Sequence, residues 1–225
     1  QGGDDISLPH RVTKLVEKWE SREQRPDLVY SGVIIIDENG NVISENTKVA
    51  EKTPPIDGTI TGRKIFIAGG CAAAYSRALH FFVGPLNSEV IAEDFVYSFR
   101  ALLGNGVAGI SEPLALYRRN AASITGQVSQ VKRAQKVKGY WGDKYIKAEI
   151  VELTEHKRAM DAHKVKRPFL RWVLDRRIKS CEMELSFGNS GMARKWLLIF
   201  FAFISLRIRL LRKMMGLLTV PSTGN

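Results

Sequence analysis

Leu28-Val29-Tyr30-Ser31-Gly32-Val33-Ile34-Ile35-Ile36 is a run of apolar and β-branched residues broken only by Ser31 and Gly32. Its length and its β-branched content predict a buried strand. Asn39-Gly40 follows at once and precedes Val42-Ile43, the turn chemistry of a hairpin. Upstream, Val12, Leu15, Val16 and Trp19 recur at helical spacing, so one apolar helical face leads into the strand. Pro9 suits the first turn of that helix, and Pro26-Asp27 ends it. A helix, a buried strand and a hairpin in succession read as the pieces of an α/β domain.

Further along, residues 44–62 are polar and carry Pro54-Pro55 and Asp57-Gly58, which reads as a surface loop. Lys64 to Ala68 is a short strand candidate that runs into Gly69-Gly70. A second helix is predicted from about Ser88 to Leu103, with Ile91, Phe95, Phe99 and Leu102 on one face and Gly104 as its stop. Val107 to Tyr117 reads as an extended segment, with Pro113 restricting it to an edge or a bend.

Charge divides the chain. The 225 residues carry a net charge of +11, yet residues 1–125 hold 13 Lys+Arg against 15 Asp+Glu, while residues 126–225 hold 21 against 8. A near-neutral part is thus followed by a cationic one, which calls for an anionic partner. Aromatic residues Tyr140, Trp141, Tyr145 and Trp172 are interspersed among the basic ones. The 11-residue apolar run Trp196 to Leu206 is too short to cross a bilayer unaided. Arg207, Arg209, Arg212 and Lys213 follow it, so residues 194–218 fit an interfacial helix on anionic lipid. A helix packed on the preceding domain is the second reading; nucleic acid ranks last, because no nucleic-acid motif accompanies the charge. Cys71 and Cys181 match no metal or redox spacing and read as reduced thiols. No secretory signal opens the chain, and Gln1-Gly2-Gly3-Asp4-Asp5 has the texture of mid-domain sequence.

Three clusters bear on chemistry: Asp4-Asp5, Gly69-Gly70 and Glu93-Asp94. Alone, each has an ordinary structural explanation as a cap, a turn or a complement to the helix dipole. Their order is more specific. Asp4-Asp5-Ile6-Ser7-Leu8-Pro9-His10-Arg11-Val12 resembles the Asp-Asp-x-x-x-Pro-x-Arg-Leu segment of inverting family 2 glycosyltransferases. Leu28-Val29-Tyr30-Ser31 with Ile36-Asp37-Glu38-Asn39-Gly40 is similar to the strand and turn that follow in that family. Gly69-Gly70-Cys71-Ala72-Ala73-Ala74-Tyr75-Ser76-Arg77 resembles its acceptor-site strand and helix. Glu93-Asp94 with Arg100-Ala101-Leu102-Leu103-Gly104 resembles its catalytic helix, and Glu112-Pro113-Leu114 with Tyr117-Arg118 its closing segment.

The resemblance covers residues 1–125 and implies an α/β fold, the C-terminal, acceptor-side part of a GT-A domain with a mixed sheet, with residues 126–225 as a mainly helical basic extension. It implies a sugar transfer, with inversion, from a nucleotide-sugar donor to a saccharide or lipid-linked acceptor at the cytoplasmic face of a membrane. It implies Asp5 as the ligand of Mn²⁺ or Mg²⁺, with Asp4 supporting it or touching the donor. Hard oxygen ligands suit either ion. Asp94 is implied as the general base, with Glu93 beside it, and Gly69, Gly70, Cys71, Arg100, Tyr117 and Arg118 as substrate-binding positions. Helical geometry separates adjacent residues by about 100°, so Glu93 and Asp94 are not both expected to face the acceptor. Three departures stand out. Gly2 replaces an Asp that many relatives carry, Asn120 and Ser123 replace the family's His and Asn, and the donor-binding half that precedes the Asp pair is not among these residues. A truncated or degenerate, non-catalytic relative is therefore the rival reading.

Overall fold

The computed structural model describes residues 3–47, 49, 53–54, 56, 69–120 and 143–188. Residues 64–68 and 194–218, expected to form a strand and an interfacial helix, lie outside them. The elements in chain order are β1 (Ile6–Ser7), α1 (Arg11–Glu20), β2 (Leu28–Ile36), β3 (Val42–Asn46) and β4 (Ala73–Tyr75), then α2 (Arg77–Val83), α3 (Glu93–Leu103), β5 (Val107–Arg118), α4 (Asp143–Ala162) and α5 (Pro168–Gly188). The sheet order is β1-β5-β2-β3, with β4 also on β2. β5 runs parallel to β2, and the other pairings are antiparallel, which makes an α/β fold with a mixed sheet.

β2 is the central strand. One of its sides pairs with β5 along its whole length. The other side is shared by β4 along Leu28–Tyr30 and β3 along Val33–Ile36. A strand paired on both sides and covered on both faces must be apolar throughout, which accounts for its composition. Gly32 is the exception with a reason. The β2–β5 register jumps there, from Ser31 opposite Ile110 to Gly32 opposite Pro113. A Cβ at Gly32 would stand 2.8 Å from the Ser111 carbonyl oxygen. Pro113 cannot donate to a ladder, so it sits at this bulge, and β5 remains an interior strand between β1 and β2.

The predicted hairpin forms. Asp37 accepts the Asn39 and Asn41 amides on Oδ1 and the Asn41 side chain on Oδ2, while Gly40 takes φ +92°. These hydrogen bonds, that of the Asn41 side chain first, hold the Asp37 carboxyl below its ordinary range. Two helix starts differ from expectation. α1 begins at Arg11, so Pro9 lies in the turn before it. α3 begins at Glu93, because Asn87 accepts the Glu89 amide and the Val90 amide in a turn that keeps residues 87–90 out of the helix. Its stop at Gly104 is as predicted, with the Gly104 amide bonded back to Arg100 and Ala101.

The layers follow from alternation along β2. Val29 packs with Leu15, Ala108, Leu114 and Trp19 under α1. Leu28 and Tyr30 face the other way, against Leu79, Ala101 and Val107, toward α2 and α3. Behind those helices a second core joins Val83 and Phe99 to Leu153, Met160, Leu170 and Leu174 of α4 and α5. The start of the basic extension is thus helical, as expected, and shares a core with the preceding residues across the charge boundary.

Candidate functional site

Asp5 sits just before β1 at the end of β5. Its Oδ1 accepts the Arg118 amide at 3.0 Å. The Arg118 side chain donates to the carbonyls of Asp4, Asp37 and Glu38, at 3.0, 3.0 and 2.9 Å. Arg118, expected to bind substrate, thus holds the Asp4-Asp5 segment against the β2–β3 turn through these three carbonyls. Tyr117, the other residue expected from this segment, is half-buried on β5 opposite Ile35 of β2. Burial raises the Asp5 carboxyl, the Arg118 amide lowers it, and neighbouring Asp4 raises it again.

Arg11 opens α1 and points inward: it is 6% exposed, with Nη1 donating to Ser7 Oγ at 3.1 Å and Nη2 to the Ala73 carbonyl at 3.4 Å. The same guanidinium interacts with Cys71 and Asp5. Cys71 follows the Gly69-Gly70 turn, where the Gly69 carbonyl accepts the Ala72 amide at 2.9 Å. Burial, then the charge of Asp5, pushes the Cys71 thiol to about 11, and Asp94 adds to the same effect. This thiol is a neutral packing group at ordinary pH.

Asp94 lies in the first turn of α3 and is half-buried, whereas adjacent Glu93 is exposed. Its carboxylate accepts the Phe95 amide at 2.9 Å and also the Gly70 amide. Those two bonds lower its pKa, but burial first and Glu93 second raise it further, to about 6. Glu93 reaches the same turn: a Cβ on Gly70 would lie 3.1 Å from its Oε1. So the structure brings together Asp5, Gly70, Cys71, Glu93 and Asp94, whose sequence positions span most of the near-neutral part.

Arg100 has a different place. Fully buried, it donates to Glu155 at 2.9 Å and to the Gly84 carbonyl at 2.8 Å, and so ties α3 to α4. Its charge is met internally, which corrects the expectation that it binds substrate. Among the described residues no group of three His, Cys, Asp or Glu side chains is arranged to hold a metal ion. The Asp pair still fits Mg²⁺ or Mn²⁺ chemistry, because such ions are commonly held by one or two carboxylates, with substrate phosphates and water completing the shell.

Sequence reasoning assigned no role to three residues at this site. Arg11 stands by Asp5; Tyr75 stands by Asp94 and Glu93; Tyr97 packs on Tyr75 with ring centroids 4.8 Å apart. The Tyr75 hydroxyl is buried with no hydrogen-bond partner among the described residues, and burial raises its pKa. Tyr97 OH meets His80 Nδ1 at 2.8 Å. A signal for Tyr75 lay in its place between the Gly-Gly turn and the Ser76 cap, but one tyrosine in a three-residue strand has no readable periodicity. A mostly apolar groove of about 370 Å³ lies on the other face of the sheet, lined by Val12, Leu15, Trp19 and Pro26. Val29 and its partner Ala74 turn toward it, and Tyr75 borders it as well while its ring packs on Tyr97 of α3.

Fold and site together define an α/β protein with two carboxylate-bearing segments converging on a Gly-Gly turn. Comparison with protein-family models, with curated proteins and with solved structures finds no match. Among the described residues, no helix is long and apolar enough to cross a membrane.

Proposed function

We propose that this chain is the acceptor-side part of an inverting glycosyltransferase of the GT-A type, acting on a nucleotide-sugar donor and a saccharide or lipid-linked acceptor. One observation carries the reading: Cys71 feels the charge of both Asp5 and Asp94, so two acidic segments 89 positions apart meet at one turn. That is the arrangement a sugar transfer needs, with a diphosphate held at one carboxylate and a proton taken at the other.

Asp5 and Asp4 are the residues that would hold Mg²⁺ or Mn²⁺, whose charge, when bound, neutralises the departing diphosphate. The acceptor hydroxyl oxygen attacks the anomeric carbon from the face opposite the diphosphate. The bond from that carbon to the phosphate oxygen breaks and its electron pair leaves with the nucleoside diphosphate. The hydroxyl proton passes to a carboxylate oxygen of Asp94. A base with a pKa of about 6 is ionised at neutral pH yet more basic than an ordinary aspartate. Arg118 keeps Asp5 in position through the backbone, and Arg11 offsets the negative charge beside it.

A non-catalytic relative is the second reading, favoured by the departures from the family pattern at Gly2, Asn120 and Ser123. The test uses the complete gene product containing this sequence, with a panel of nucleotide sugars and Mn²⁺ or Mg²⁺, and reads nucleoside diphosphate release. Metal-dependent release that falls at least a hundredfold in Asp94→Asn, and at limiting metal in Asp5→Asn, supports transfer. Release equal in wild type and both variants, or none with any donor, overturns it.

A further inference from the structure

The basic extension carries a surface that the transfer chemistry does not use. α5 buries Leu170 and Leu174 in the core it shares with α4. Counting 100° per residue, Phe169, Trp172, Arg176, Lys179 and Met183 fall within about an 80° arc on the opposite side. Phe169 is 58% exposed and Trp172 50% exposed, among the large apolar side chains left open to solvent. Their rings stack with centroids 5.9 Å apart, and the Arg176 guanidinium lies 4.8 Å from the Trp172 ring centre. Exposed Lys166 and Arg167 precede the stripe, and Lys179 continues it.

Three of the acidic side chains nearby are paired with basic residues beside the stripe. Asp175 flanks the stripe and is ion-paired with Lys157 at 2.6 Å. Asp161 is paired with Arg171. Glu149 pairs with Arg177 at 2.8 Å on the side toward α4. Glu182 flanks the stripe further along. Between residues 163 and 181 there are seven Lys and Arg and one Asp.

We propose that this face of α5 is a docking surface for a membrane leaflet rich in anionic lipid. Stacked aromatics at the centre of a basic helical stripe suit the headgroup level, where rings enter the interface and cations meet lipid phosphates. The ring arrangement argues against nucleic acid. The Trp172 ring is already engaged by Phe169 and Arg176, whereas base stacking needs an open aromatic face. In sequence, α5 is followed within ten residues by the apolar run from Trp196 and its trailing arginines, which extends the same chemistry. The proposal does not rest on sugar transfer, and its test reads none.

The experiment compares the full chain with Phe169→Ser/Trp172→Ala and with Arg176→Glu/Lys179→Glu. All four side chains avoid the core, so circular dichroism should report an unchanged fold. Co-sedimentation is measured with vesicles of phosphatidylcholine alone and with 30% phosphatidylglycerol, in low and high salt. The expected result is binding that needs the anionic lipid, weakens with salt and drops at least about tenfold in each double variant. Equal binding by wild type and both variants overturns the proposal and leaves residues 194–225 as the lipid contact. Loss of binding to a labelled RNA oligonucleotide, with vesicle binding unchanged, also overturns it and makes the surface a nucleic-acid site.

Discussion

Asp94→Asn should make the folded chain more stable at neutral pH while removing the proposed base. The folded pKa of Asp94 is about 6 against an ordinary 3.8, because burial and the neighbouring Glu93 both disfavour its ionised form. Between those two values the folded chain binds more protons than the unfolded chain. Stability therefore falls as pH rises through that window, and stays lower above it. A difference of this size corresponds to roughly 3 kcal/mol at pH 7.5, falling to roughly 1 kcal/mol at pH 4.5. Residual solvent access and the less favourable fit of an amide oxygen to the Phe95 and Gly70 amides reduce the observable gain to about 1–2 kcal/mol at pH 7.5. For a domain of this size that is roughly 2–8 °C in Tm.

The assay is thermal unfolding of wild type and Asp94→Asn by circular dichroism at pH 7.5 and pH 4.5. The variant should melt higher at pH 7.5, and its advantage should shrink by more than half at pH 4.5. A variant that melts lower at pH 7.5, or one whose advantage is the same at both values, refutes the claim that Asp94 is an ionised and unfavourably buried carboxylate. The trade is the one expected of a functional group kept at a cost to stability.

Glu93→Gln should lower the Asp94 pKa, since Glu93 is the second cause of its elevation, and so move the acid limb of the kcat profile to lower pH with a smaller loss of kcat than Asp94→Asn. A larger kcat loss in Glu93→Gln would exchange the two roles. Cys71, with a thiol pKa of about 11, should react with iodoacetamide at pH 7.5 about a hundredfold more slowly than an unperturbed thiol. Asp5→Asn should speed that reaction, as read by mass spectrometry of the Cys71 peptide; no change would mean that the two groups are not close. Arg100→Met should cost about 1–3 kcal/mol, measured by urea unfolding, because buried Glu155 loses one partner but keeps Arg158 at 3.1 Å. Adding Glu155→Leu should recover most of that loss, whereas a substrate-binding role would predict lost activity with little loss of stability.

The central strand was legible because burial on both faces demands a mostly apolar run, and Leu28–Ile36 is apolar at every position but Ser31 and Gly32. The hairpin was legible because Asn39-Gly40 has few other uses between two such segments. What the sequence hides is set by pairings over long separations. Arg100 reads as a cation on a catalytic helix, and its partner lies 55 positions away on α4. Arg11 stands in the sequence only within the segment that resembles the family's Asp-Asp motif, and the fold supplies its partners Ser7 and Ala73. The boundary at residue 125 follows charge, but charge resides on surfaces while domains are held by cores. Leu153, Met160, Leu170 and Leu174 complete the core begun by Val83 and Phe99. That core was hidden because the buried side of α4 also carries Glu152, Glu155 and His156, which blur its apolar periodicity. Those polar residues are not incidental to the site: Glu155 anchors Arg100 and Glu152 adds to the elevation of the Asp94 pKa. The helical extension thus meets α3 from behind, fixing Arg100 through Glu155 and adding, through Glu152, the smallest of the influences that raise the Asp94 pKa.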